Sequence, residues 1–499
     1  MERRPLTPLW LAFAWVVALS SCYREQVVYN PPIDETYHLP SPLVIEGKHC
    51  LLNATDFTLR CPLTWDRSEP LHALIEHSDD AIVWWNGEPL VNRSSNDLGI
   101  LDYRQTQEVV IQAFDQSDTF QLTFTNLPLV HMVTPNKVFD EPKTMAKIWV
   151  QHPEPEKPRE EHWVGVEHRG HTALRFDKKS FGLGLKGSLN LYDDQSDSIL
   201  GLPSSHKWIL DAAWVDPSRI RNALSFDLWR TIHGKDHLSL QGRHVELFWN
   251  DERQGLYRLN HAITAETIGL NGEEDVLYKA ENWAEPSTKF LEFSGDLPQG
   301  ERWEGWRHVH PDPSTRLHWE PLMALRQWAV HSSDESFSNT VHQWVDLDNL
   351  VDFFLFVNVV EGLDNTGKNM FWTRGESLEA FHIVPWDMDA TWGLFHDGTS
   401  TNGVTIVTNG LFQRLITTNA GQFRDRLRNR WHELRITSFS KETMAAMVSE
   451  HVQRLNLSDI VELENQTWGA HLDLLAEQGV IKQWIDFRLQ RMDEFIDNL

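Results

Sequence analysis

Apolar and polar positions divide this chain into three kinds of pattern. From about residue 41 to 133 the apolar stretches are short and alternate. Phe120, Leu122 and Phe124 are separated by polar residues and give one apolar face, and Val109-Val110-Ile111 is a β-branched run. Trp84-Trp85-Asn86-Gly87 places an Asn-Gly pair where a hairpin turns. These signals predict a small sandwich-like all-β domain over 41–133. From about 144 to 280 strands predominate. Ala146 to Val150, Trp163 to Glu167, Phe181 to Leu185, Val245 to Trp249 and Leu256 to Leu259 read as strands, the last two as a hairpin. The Pro/Glu stretch Pro153 to Pro158 reads as a loop inside this region. Pro217 to Thr231 reads as a helix with Asp216 as its N-cap and Pro217 in its first turn.

The remainder is mainly helical. Asp346 or Asp348 caps Leu350 to Val360, which is apolar all round and therefore predicted to be buried. Near the end Ile481, Trp484, Ile485, Arg488, Leu489, Met492, Phe495 and Ile496 recur at spacings of three and four, the pattern of one amphipathic helix. No internal repeat of solenoid length is visible.

The first 22 residues differ from all of this. Arg3 and Arg4 precede an apolar run, Leu9 to Leu19, that is too short to span a bilayer. It ends in Leu19-Ser20-Ser21-Cys22. That tetrad resembles the lipobox of bacterial lipoproteins, in which the cysteine is acylated. The reading predicts export, lipidation at Cys22 and residence on the bacterial cell envelope. Residues 23–40, with Pro31-Pro32, would be a tether. Only Cys50 and Cys61 then remain, and an exported chain is expected to join them in a disulfide.

Composition narrows the function classes. The chain has 499 residues, more than one ordinary domain core needs. Its formal net charge is −27, with 72 acidic against 45 basic residues, which disfavours nucleic acid as a partner. The 23 tryptophans could stack on sugars or bases, or simply fill cores. His162, His168 and His171 cluster in sequence without a clear ligand geometry.

Residues 350 to 391 carry the chemistry. A buried helix is followed by the polar loop Leu363-Asp364-Asn365-Thr366-Gly367-Lys368-Asn369. Two strand-like stretches follow, Met370 to Thr373 and Phe381 to Val384, with Gly375 between them. Pro385-Trp386-Asp387-Met388-Asp389 comes directly after. A hairpin returns the chain to its starting end, so Asp364 and Asn369 are predicted to lie near Asp387. Oxygen donors converging in this way suit Mg²⁺, which in turn suits a polyphosphate substrate. Capping of local turns is the alternative role for Asp364 and Asp387.

The stretch Pro385-Trp386-Asp387-Met388-Asp389-Ala390-Thr391-Trp392-Gly393 resembles the signature of the CotH (spore-coat protein H) kinase family. The Asp364-to-Asn369 and Asp364-to-Asp387 spacings match its pattern as well. Upstream, Arg169-Gly170-His171-Thr172 with Lys178-Lys179-Ser180-Phe181 resembles its basic motif. Trp208 through Asp216 with Arg221-Asn222, and Gly255-Leu256-Tyr257, resemble two further motifs. The resemblance covers roughly residues 135–499. It implies an α+β architecture, an atypical protein-kinase-like bilobal fold preceded by the all-β domain, with one lobe over 135–280 and a mainly helical one over 281–499. It also implies use of ATP with Mg²⁺ and a protein Ser/Thr acceptor, here an exported one.

By the same resemblance Asp364 would be the catalytic Asp that orients or deprotonates the acceptor hydroxyl. Asp387 and Asn369 would hold the metal, and Asp389 would be a second ligand or a helper. Lys179 and Arg169 are the candidates for the cation over the phosphates. The chain departs from the family after the Gly255-Leu256-Tyr257 hairpin. It carries Leu259-Asn260-His261 where family members usually have a glutamate. Glu246 is a candidate substitute partner for the phosphate-binding cation. A phosphotransferase and a catalytically silent kinase-fold assembly module are therefore both open readings.

Overall fold

The computed structural model describes residues 41–499 apart from 171–172, 234–237, 296–297 and 377. The leader, Cys22 and the 23–40 tether lie outside the described residues, as do His171 and Thr172 of the basic motif. The protein is mixed α+β, and its apolar side chains gather mainly into three cores.

The first core lies between two sheets built from residues 44–125, one of four strands and one of six. Alternation places it: Phe120, Leu122 and Phe124 on the Gln116–Thr125 strand all point inward. The Asn-Gly turn forms where the sequence puts it. Asn86 and Gly87 adopt φ of +50° and +90° between the strands Ala81–Trp85 and Glu88–Pro89. The predicted Cys50–Cys61 disulfide is not formed. Both residues are buried free cysteines. Burial first, then Cys61 itself, push the Cys50 thiol well above its usual range, and a protonated thiol in a dry core is a poor nucleophile for disulfide exchange.

The second core fills a closed seven-stranded barrel formed by Leu129–Val133, Thr144–Gln151, Glu160–Arg169, Ser180–Lys186, Lys207–Asp211, Glu252–His261 and Gly242–Trp249, in that spatial order. All neighbours are antiparallel except the closing pair, Leu129–Val133 with Gly242–Trp249. Leu129–Val133, assigned to the sandwich by pattern alone, is thus a barrel strand. The predicted helix after Asp216 starts later, at Arg221, and runs to His233. Asp216 accepts from Ser218 N and Arg221 N, so the intervening residues form a turn, with Arg219 at φ +59°.

The third core binds the remaining helices to a five-stranded sheet ordered Arg302–Trp303, Trp306–His310, Val276–Ala280, Met370–Gly375 and Leu378–Pro385. Val276–Ala280 falls in this sheet rather than in the barrel. At the centre is the Leu347–Val360 helix, capped by Asp346 through Asn349 N. Its Phe353, Phe354, Leu355 and Phe356 are fully buried. Each such side chain contributes about 1.5–3 kcal/mol of burial free energy, so the loop that leaves this helix departs from a fixed point. Among the described residues no helix is long and apolar enough to cross a membrane.

Candidate active site

The acidic loop begins where the central helix ends. Glu361 closes that helix in the left-handed conformation, φ +53°. Asp364 then turns the chain tightly, its carbonyl accepting from Gly367 N and Lys368 N. Asn369 N donates to Ala280 O and Asn369 O accepts from Trp386 N, both at 3.0 Å. Met370 pairs with Pro385 in the hairpin that follows. The hairpin expected from sequence is formed, and its open end brings Asn369 beside Trp386-Asp387.

Asn365 locks that end. Its buried side-chain amide donates to Asn369 O and Trp386 O at 2.8 Å each and meets Met388 Sδ at 3.0 Å. The rest of the Pro385–Gly393 segment is held by its own small residues. Thr391 Oγ1 donates to Met388 O and contacts Ser225 Oγ, while Trp392 Nε1 donates to Ser225 Oγ at 2.8 Å. A Cβ on Gly393 would stand 2.6 Å from Trp484 Cδ1, so only glycine fits there.

Asp387 occupies the left-handed region at φ +55°. Solvent reaches its side chain. Burial, followed by the neighbouring Asp211, nevertheless pushes its carboxyl above the usual range, against the pull of Arg169, Lys279 and Lys368. Asp387 thus lies on accessible surface that it shares with Asp211 and these cations, the cleft. Asp389 is pushed up further, by burial first and then by Asp387 and Asp211. The acidic group is tied into the barrel side. Asn222 Oδ1 accepts from Met388 N at 3.1 Å, and Asn222 Nδ2 donates to Asp211 Oδ2 at 3.0 Å. Asp211 ends a barrel strand and accepts from Ala213 N.

Three cations face these acids. The Arg169 guanidinium lies 5.8 Å and the Lys279 ammonium 5.7 Å from the Trp386 ring centre. Burial, then Arg307, hold Lys279 down to about 8, with Glu281 at 3.6 Å partly offsetting them. Lys368 Nζ sits 2.8 Å from Asp364 Oδ2. Among the described residues no group of three or more His, Cys, Asp or Glu forms a ready metal cage. A carboxylate pair whose charged forms repel each other, with Asn369 half-buried beside it, still fits a hard dication, because Mg²⁺ takes one or two protein carboxylates and completes its shell with substrate phosphate and water.

The sequence-predicted residues therefore separate. Asp364, Asn369, Asp387, Asp389 and Arg169 come together at the cleft. Lys179 does not: its ammonium is held by Leu174 O and Phe176 O of its own loop. Glu246 does not serve a site cation either, being paired with Arg60 at 2.7 Å. The buried Lys–Glu pair is instead Lys178 with Glu464, at 2.5 Å and with both side chains inaccessible. Sequence reasoning missed Asp211, Lys279 and Lys368. Lys368 carried a signal, four residues after Asp364 on the same loop. Lys279 and Asp211 lie in separate strands with nothing local to mark them.

The family described as CotH kinase protein matches residues 166–492, more than half of the chain and the whole of this site. The protein belongs to the CotH kinase family, and membership points to a kinase-like function. No curated protein matches the chain.

Proposed function

We propose that this protein is a Mg-ATP-dependent phosphotransferase with a two-lobed kinase-like arrangement, the barrel as one lobe and the helical half as the other. The acceptor is a Ser or Thr hydroxyl of an exported protein. The observation that carries the reading is the apposition of Asp387 with Arg169, Lys279 and Lys368, acids and cations held at one cleft by separate elements. Asp387 and Asn369 would hold Mg²⁺ with Asp389 as helper, and the metal would supply charge neutralisation at the phosphates. Arg169 and Lys279 hold phosphate oxygens. Asp364 orients the acceptor hydroxyl and receives its proton as the oxygen attacks the γ-phosphorus and the bond to the β-bridging oxygen breaks, releasing ADP. Positioning and preorganised charge supply most of the rate.

The leader sequence supports action from a lipid anchor at Cys22 on the bacterial cell envelope, and Cys22→Ala should release the protein from membranes. The test of the activity is transfer of label. Label from the γ-position of ATP, and none from the α-position, should reach a protein acceptor and be lost in Asp364→Ala. Nucleotide binding without any transfer would favour a silent assembly module, and α-label transfer would favour nucleotidyl chemistry.

A further inference from the structure

Arg60 lies in the sandwich, outside the family-matched residues, and is 1% exposed. Its guanidinium serves acids from two other parts of the molecule. Nε and Nη2 hold Glu246 of the barrel at 3.0 and 2.7 Å. Nη1 holds Asp459 at 2.5 Å and Thr123 of the sandwich at 2.8 Å. Asp459 is the residue that opens the Ile460–Trp468 helix. That helix is gripped from the sandwich side again by Arg104, which reaches Glu462 and Asn456.

The other face of the helix carries Glu464, wholly buried against the barrel. Glu464 binds Lys178 through Oε1 and accepts from Leu256 N through Oε2 at 2.9 Å, with Arg219 at 3.5 Å. Lys178 in turn lies 4.5 Å from the Tyr257 ring centre and donates to Leu256 O. Two residues on, Ser180 opens the strand paired with Arg169, the cleft cation. Ser180 Oγ accepts from Ala212 N at 2.9 Å and faces Asp211, the acid that Asn222 links to Met388. Polar contacts, joined by one helix and by the chain from Lys178 to Ser180, therefore run from the sandwich to the wall of the cleft.

We propose that Arg60 is a positioning residue. By clamping Asp459 it seats the Ile460–Trp468 helix, so that Glu464 fixes Lys178 and the Ser180–Lys186 strand on which the Arg169 edge of the cleft depends. The sandwich is then a working part of the site, and only the nucleotide readout of this inference rests on the proposed function. A lysine cannot replace Arg60, because a single ammonium lacks the fork needed to hold Glu246 and Asp459 together.

The test uses the full chain with Asp459→Asn, which removes the Arg60–helix ion pair while leaving Arg60–Glu246. Amide exchange should quicken about tenfold in both 460–468 and 180–186, with the other barrel strands unchanged. Mg-ATP affinity, read by calorimetry, should fall at least about threefold. Arg93→Ala, at an exposed sandwich ion pair, should change neither. Faster exchange confined to 460–468, with 180–186 and Mg-ATP affinity unchanged, overturns the inference. If the natural chain binds no Mg-ATP the proposed function fails, and the exchange at 180–186 alone decides this one. If Asp459→Asn does not fold, Arg60→Lys is read by the same two measurements.

Discussion

Lys368 Nζ stands 2.8 Å from Asp364 Oδ2, a pair made within one loop by residues four apart. The same ammonium pulls down the Asp387 carboxyl, so it acts on both acids. Loss of one preorganised charge at a reacting phosphoryl group typically costs about 10²–10³ in kcat. Lys368→Met should lower γ-phosphoryl transfer by about that factor while changing Mg-ATP affinity much less. Steady-state kinetics beside calorimetry check the split. Equal losses in both would make Lys368 a nucleotide-binding group only.

Asn365 donates to two carbonyls on opposite sides of the hairpin's open end and meets Met388 Sδ. Asn365→Ala leaves Trp386 O without that donor, while Asn369 O keeps Trp386 N, and should destabilise the fold by about 1–3 kcal/mol. Urea unfolding measures this, and a loss under about 0.5 kcal/mol would mean the loop is held by other contacts.

Gly255 has φ +85°, and an added Cβ would stand 2.2 Å from Glu464 Oε2. Gly47 has φ +71° with nothing within 4 Å of an added Cβ. Gly47→Ala should cost about 1–2 kcal/mol, the backbone term alone. Gly255→Ala should cost about 3–5 kcal/mol, because it also displaces the only carboxylate that Lys178 has within ion-pair distance among the described residues. Similar losses for the two variants would show that the Glu464 seat is soft.

Away from the cleft, Glu160 reports on acid stability. Burial would raise its carboxyl, but hydrogen bonds from His152 and Leu200 N, with the His162 ring 3.7 Å away, outweigh that and bring it down to about 2. Between pH 4.5 and about 2 the unfolded chain binds more protons at this group than the folded one. Its stabilisation is therefore complete above pH 4.5 and lost as pH falls toward 2, on the order of 2–3 kcal/mol in all. Glu160→Gln should flatten that part of the stability profile. An unchanged slope in chemical unfolding across pH 5 to 3 would contradict it.

What the sequence made legible is what neighbouring residues decide together. Alternation at Phe120, Leu122 and Phe124 sets a buried face, Asn86-Gly87 sets a turn, and the apolar run ending at Val360 sets a buried helix. The hairpin after Asn369 followed from strand and turn composition, and with it the approach of Asn369 to Trp386-Asp387. The rest depended on tertiary placement. Lys178 and Lys179 are adjacent and chemically alike, yet Glu464, almost three hundred residues later, takes one while backbone carbonyls take the other. The barrel closes through one parallel contact, between Leu129–Val133 and Gly242–Trp249, that no local pattern encodes. An oxidising compartment would pair Cys50 with Cys61, whereas a buried core holds them as thiols.

Mg²⁺-dependent ATP binding tests the central claim most directly. Thermal unfolding of the natural chain with millimolar ATP, with and without Mg²⁺, should show a rise in Tm that needs both and disappears in Asp387→Ala. No rise with both present, or the same rise in Asp387→Ala, would contradict a nucleotide–metal site at this cleft.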